Sequence, residues 1–481
     1  MLKLVRNTWG DLGYLKDPDG FGIKYSFIHK LHELQQGTGI HLKNKLRKQH
    51  IQYFKKKMNV RLAAQMLSDS VADAIEFCEK ENLPGFEDCA PTIKFIRTIN
   101  KLFDILNSRN LLANCYKKPI CQQNSKTIFD FFVSATKYLR NISCPKSGKL
   151  IVDGNKKTGM LGFIVCMEST KNLYQCLLES GMQYLMTYKV SQDHLELFFG
   201  KIRNFGGCNN NPTARQFAAA YKRILIHNDL KDVMTGNCIP LESVPILRAS
   251  SAAMNPQLKS PLYKQYVNEL NSRSPANGIF NPTKGGNDLC ESSEGETEDH
   301  DILDISSAFE SNVTYCKNVV AYIAGFAVRK ISKSLRCVDC HDALQMSLES
   351  IQTTPHLNFI RFVDSGGLIY PSDDVVNVYL TAEKCLQIKI KESCSNINLR
   401  YLVNSVSQSY IEVPVFLELD DHIRSGDPLN RHDCLLIKII ASCYLECRLS
   451  HLARTRSANI MLDKKPVSRQ MANKLTLFRG Q

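Results

Sequence analysis

Apolar residues recur at helical spacing over Met58–Asn82, where Val60, Ala63, Ala64, Leu67, Val71, Ala74, Ile75 and Cys78 mark one side. This spacing predicts one helix, stopped by Leu83-Pro84-Gly85, because proline cannot continue a helix and glycine relaxes the turn. A second helix is predicted after Pro91, with Ile93, Ile96, Phe103 and Leu106 on one side. The pattern changes near Lys149. Leu150-Ile151-Val152 reads as a short buried strand, Gly159–Met167 is apolar, and Ser169–Leu178 is helical in spacing. Ser191 is a suitable N-cap for a helix running to about Gly200. Gly206-Gly207 and Asn209-Asn210-Asn211-Pro212 interrupt the chain before an alanine-rich helix from Phe217 to Ile226.

From 240 to 312 the composition loosens, with Pro256, Pro261, Pro275 and Pro282 set among Ser, Asn and Gly. Residues 288–304 then carry eight acids and no Lys or Arg. This stretch reads as a flexible, exposed linker before a last folded segment, 313–481, whose basic end from about Arg454 is expected to fray.

Composition bounds the class. The chain has 481 residues, 43% hydrophobic and 22% charged, which excludes a wholly disordered chain, a collagen and a coiled-coil rod. At about 150 residues per domain the length suits three domains. The net charge of +14 favours a polyanionic partner. Residues 1–60 hold 12 Lys/Arg against 4 Asp/Glu, densest at Lys43, Lys45, Arg47, Lys48 and Lys55–Lys57. A solvated face and a polyphosphate contact explain that cluster about equally. Met160–Met167 and Val319–Val328 fall short of the ~20 residues that span a bilayer, and Met1–Gly10 lacks the apolar stretch of a signal peptide. A soluble intracellular protein without membrane contact is expected, with its 18 Cys reduced.

Asp193 and Glu196 are three apart, hence on one helix face, and two carboxylates so placed suit Mg²⁺. Acids in a first helical turn more often only complement the dipole. Lys201, Arg203, Arg215 and Lys222 follow, able either to meet a phosphate backbone or to stay solvated. Cys337-Val-Asp-Cys340 offers two zinc ligands, and Cys443, Cys447 and His451 fall at i, i+4 and i+8. A buried cysteine stripe accounts for the latter equally well.

The whole segment SQDHLELFFGKIRNFGGCNNNPTARQFAAAYKRIL resembles the core of the P-element transposase family, which includes the THAP-domain transposases. The resemblance extends to GIKYSFIHKLHELQQGTGIHLKNKLRKQHIQYFKKKMNVRLAAQMLSDSVADAIEFC, KKTGMLGFIVCMES, NVVAYIAGFAVRKISKSLRCVDCHDAL and GGLIYPSDDVV, in order from Met1 to about Val376. It implies an α/β fold: a partial RNase H-like catalytic domain (1–9 and 121–235) interrupted by a mostly α-helical GTP-binding insertion (10–120), then a largely helical C-terminal region. It also implies a nuclear DNA transposase, Mg²⁺-dependent with GTP as cofactor, acting on transposon ends, with a homo-oligomer among its expected partners. Glu196 takes the place of the third catalytic carboxylate, Asp193 lies beside it as a metal and nucleotide candidate, and Lys45, Asp104 and Asn107 fall near nucleotide-contact positions. The other two carboxylates and the zinc finger of many relatives would precede Met1, so an N-terminally truncated relative is expected: a decayed copy, a partial gene model or a domesticated fragment. The alternative is a non-catalytic nuclear DNA- or protein-binding derivative.

Overall fold

Trp9, the single tryptophan, is fully buried. The computed structural model describes residues 1–205, 211–227, 262–273, 312–347, 350–392, 397–411, 415–416 and 432–463. These divide into two units. The first comprises Met1–His29, Asn44–Leu46 and the chain from His50 to Asn255. The second comprises Lys30–Lys43, Arg47–Gln49 and the chain from Pro256 onward.

In the first unit, α1 (Leu2–Leu12) buries Leu2, Val5 and Trp9 and ends at Gly13, whose φ of 73° is the left-handed conformation that glycine adopts without strain. The antiparallel ribbon β1 (Tyr14–Lys16) and β2 (Gly22–Lys24) follows. Trp9 donates its indole N–H to Ile23 O at 3.2 Å and meets Tyr25 and Phe95 edge-on at 5.0 and 5.3 Å. The expected domain boundary after residue 9 therefore falls inside a continuous helix whose last turn carries the central core residue.

Next come α2 (Ser26–Thr38), α3 (Lys48–Ile51), α4 (Val60–Met66), α5 (Asp69–Lys80) and α6 (Ala90–Ile105). The single helix expected over Met58–Asn82 is broken: Leu67 leaves helical geometry and Ser68 is extended. Asn59 caps α4 by accepting from Leu62 N–H. In α6 the buried stripe is Ile93, Ile96, Ile99, Leu102 and Ile105, while Phe103 and Leu106 are half-buried.

Helices α7 (Ser125–Arg140) and α8 (Thr158–Glu179) complete this layer. Helix α8 joins the apolar stretch and the helical stretch, expected separately, into one rod. It crosses α1 at Gly159, where a Cβ would come within 2.8 Å of Val5 N, so only glycine allows the approach. The expected strand at 150–152 is a 3₁₀ turn, Ile151–Asp153. Leu150 makes one bridge to Ser143 and no ladder, and without a ladder its backbone groups close locally. The only other named sheet among the described residues pairs β3 (Ile120–Cys121) with β4 (Tyr184–Leu185). The described residues are thus mostly helical, and the α/β expectation does not hold for them. The unit closes on α9 (Asp193–Phe205), which starts two residues after the expected Ser191 cap, and α10 (Ala214–His227).

The second unit is a helical assembly around α17 (His432–Asp463), packed by α11 (Leu262–Arg273), α12 (Val313–Ser332), α13 (Val338–Asp342), α15 (Asp373–Glu392) and α16 (Leu399–Gln408), with α14 (Asn358–Val363) against α12. Helix α11 corrects the expectation of an unbroken linker over 240–312. Tyr263, Val267 and Leu270 are buried at i, i+4 and i+7 and dock on α17. The rest of that linker, with its acidic stretch, lies outside the described residues. The polar end from Arg454 continues as helix to Asp463. No helix among the described residues is long and apolar enough to cross a membrane.

Candidate functional site

Asp104 lies in the last turn of α6, where the helix dipole already opposes a carboxylate. Its Oδ2 accepts from Asn100 Nδ2 at 3.3 Å and lies 4.0 Å from Lys117 Nζ. Burial pushes the Asp104 carboxyl above its usual range and nearby Asp69 adds to this, against the pull of Lys117. Asp69 opens α5, and its carboxyl is also raised, chiefly by burial and then by Asp73. The Asp69 Oδ1 atom is buried without a hydrogen-bond partner. Arg97 binds Asp73 at 2.8 Å and Glu76 at 2.7 Å. A buried carboxylate oxygen without a partner suits a ligand that brings an N–H donor.

Asn107 follows α6 directly. Its Oδ1 accepts from Arg109 Nε and Nη2 at 3.3 and 3.1 Å, and the Arg109 guanidinium lies 4.2 Å from the centroid of the Tyr188 ring. Between them, buried Ser108 and Thr187 form a knot. Ser108 N–H donates to Thr187 Oγ1 (3.1 Å), the two hydroxyls are 3.0 Å apart, and Thr187 N–H donates to Ser108 Oγ (3.2 Å). Thr187 Oγ1 donates to Ile105 O at 2.5 Å, supplying one of the carbonyls left open at a helix end. Since that hydroxyl proton is committed to Ile105, Ser108 is the donor between the hydroxyls. This knot fastens the end of α6, with Asp104 and Asn107, to the 3₁₀ turn Thr187–Val190 just before α9.

Helix α9 places Asp193 at its first residue and Glu196 one turn on. The Glu196 side chain is exposed; that of Asp193 is outside the described set. The lysine facing Asp104 is Lys117, whereas Lys45 is exposed on the segment after α2. A ring cluster holds α9 to α10: Phe217 stacks on Tyr221 (6.1 Å, 5° between planes), and Phe198 meets Tyr221 edge-on at 6.0 Å. Of the basic residues expected to meet DNA, Arg203, Arg215 and Lys222 are exposed. Lys201 is buried, at 8% exposure.

Among the described residues, the metal-ligating side chains that come together are Cys337, Cys340 and His432, not Cys443, Cys447 and His451. The His451 ring instead packs edge-on against His41 at 5.0 Å.

Three family models match. Residues 1–119 match the TNP-like, GTP-binding insertion domain, 188–222 the TNP-like, RNase H C-terminal domain, and 311–454 the C-terminal domain of DNA transposase THAP9. Together these matches support a P-element/THAP-type transposase family. It is 28% identical over 429 residues to human DNA transposase THAP9, covering 86% of this chain and 44% of that protein. To the Drosophila melanogaster transposable element P transposase it is 25% identical over 435 residues, covering 88% of this chain and 49% of that protein. The chain thus spans about half the length of these relatives. A solved structure, the Drosophila P element transposase strand transfer complex, is 28% identical with a TM-score of 0.40, covering 48% of this chain and 51% of that one.

Residue spacing did not reveal Asp69, Lys117, Ser108, Thr187 or His432. Ser108 and Thr187 are 79 residues apart, and neither stands in a motif.

Proposed function

We propose that this chain is a GTP- and Mg²⁺-using part of a nuclear DNA transposase, which binds transposon-end DNA and self-associates. The supporting observation is the Ser108–Thr187 knot. It ties the end of α6, inside the segment that matches a GTP-binding insertion domain, to the entry of the segment that matches an RNase H domain. Nucleotide occupancy at the end of α6 can therefore bear on the position of Glu196.

In this reading the Asp104 carboxylate accepts from the guanine N–H groups, with Asp69 beside it. The Asn107 amide adds a donor, since its oxygen already serves Arg109. Lys117 supplies a cation; Lys45 is a second candidate for the phosphates. Glu196, with Asp193, would hold Mg²⁺, which when bound stabilises attacking and leaving oxygens in phosphodiester transfer. Arg203, Arg215 and Lys222 would contact the DNA backbone. A chain that binds DNA and neither metal nor nucleotide would instead be a non-catalytic derivative.

Calorimetry on the full chain is expected to show GTP binding tighter than ATP. Asp104→Ala should weaken GTP by about tenfold or more and leave ATP unchanged, because it removes a charged acceptor. Binding should also fall as pH drops through the raised Asp104 carboxyl range, since protonation removes the acceptor. Equal affinity for both nucleotides in the unsubstituted chain would sink the guanine assignment. For the metal, Glu196→Gln should reduce bound Mn²⁺ measured by electron paramagnetic resonance, and unchanged binding would remove Glu196 from the site.

A further inference from the structure

Cys337 is the residue before the five-residue helix α13, Cys340 lies within it, and His432 is the first residue of α17. All three are buried, and their ligand atoms lie within 4.8 Å of one another. Cys340 Sγ is 3.8 Å from His432 Nδ1. Tetrahedral zinc, with Zn–S of about 2.3 Å and Zn–N of about 2.0–2.1 Å, separates its ligand atoms by roughly 3.5–3.8 Å. The side chains are therefore already near coordination spacing, across 92 residues of sequence. Asp339 precedes Cys340 and Asp433 follows His432 in sequence, so each ligand has a carboxylate neighbour.

We propose that Cys337, Cys340 and His432 bind a zinc ion that fastens α13 to the first turn of α17. They supply three of the four positions of a tetrahedral zinc. A helix of five residues has little hydrophobic face of its own, and coordination gives it a fixed place against the long helix. The role is structural, and the ion is remote in sequence from Glu196 and Asp104.

The test uses the full chain, purified under reducing conditions from zinc-supplemented cells. Mass spectrometry of the metal should find about one zinc per chain, falling below about a tenth of that in Cys340→Ser and His432→Ala. Cys176→Ser, at an exposed cysteine of α8, should keep its zinc. Because a ligand variant can fail to fold, the unsubstituted chain is also loaded with Co²⁺. A thiolate-to-cobalt charge-transfer band with tetrahedral visible bands is expected. Zinc retained in Cys340→Ser, or a folded unsubstituted chain with neither zinc nor the thiolate band, would overturn the proposal. So would a disulfide between Cys337 and Cys340 in that same reduced protein.

Discussion

Replacing Glu383 by Gln should cost the second unit about 3–5 kcal/mol, because it leaves the Arg448 guanidinium buried without its counter-charge. Glu383 is fully buried on α15. It accepts from Arg448 Nε at 2.7 Å and Nη2 at 2.6 Å, and from the Tyr444 hydroxyl at 2.6 Å. Gln387 donates to the same carboxylate at 3.2 Å. Burial opposes ionisation of Glu383, but Arg448 and these hydrogen bonds outweigh it and hold the carboxyl below its usual range. The sign for pH follows. Glu383 binds a proton less readily folded than unfolded, so its contribution is present above the ordinary glutamate value. It is lost as pH falls through the depressed folded value. Removing both charges, as Glu383→Leu with Arg448→Met, should recover most of the loss, since an apolar pair of similar volume leaves no unpaired ion. Urea unfolding distinguishes the units, because the single tryptophan, Trp9, lies in the first. Glu383→Gln should shift the circular dichroism transition and leave the Trp9 fluorescence transition in place. A shift below 1 kcal/mol would show that the pair is solvated.

Local pattern carried far where helices were long and one-sided. The stripe after Pro91 located α6, and the Asn run separated α9 from α10. It failed where tertiary partners decide. Val60–Cys78 keeps helical spacing across Leu67-Ser68, yet the chain bends there, so periodicity alone did not show two helices. Leu150-Ile151-Val152 has the composition of a strand, but a strand needs a neighbour along its length, and only one bridge forms. Helix α11 was hidden by its surroundings. Prolines and polar residues flank Tyr263, Val267 and Leu270, and only docking on α17 reveals that these three residues form a buried stripe. The candidate sites divide in the same way. Asp104 and Asn107 were reached through resemblance in sequence, and Glu196 through its spacing from Asp193 as well. Asp69, Lys117 and His432 become visible only when remote segments meet, because neither carboxylate repulsion nor ligand spacing is written in local order.

Thr187→Val should destabilise the first unit by about 3 kcal/mol or more, although it changes one atom for another of similar size. The side chain is buried at 2% exposure and Ser108 at 1%. A methyl at the Oγ1 position can neither accept from Ser108 N–H and Ser108 Oγ–H nor donate to Ile105 O. Two donors and one carbonyl are then left in a site that water does not reach, and each unsatisfied buried group costs about 1–3 kcal/mol. Ser108→Ala should cost less, because Thr187 keeps its bonds to Ile105 O and Ser108 N–H. The double variant should cost less than the sum, as the hydroxyl donor stranded by Thr187→Val is then absent. Trp9 fluorescence in urea is the readout here, with the far-ultraviolet transition of the second unit as internal control. Additive losses in the double variant would mean that the two hydroxyls do not bond to each other. If the knot also relays nucleotide binding, GTP affinity should fall in Thr187→Val under conditions where Trp9 remains native. Loss of stability with unchanged GTP affinity would confine the knot to a structural role.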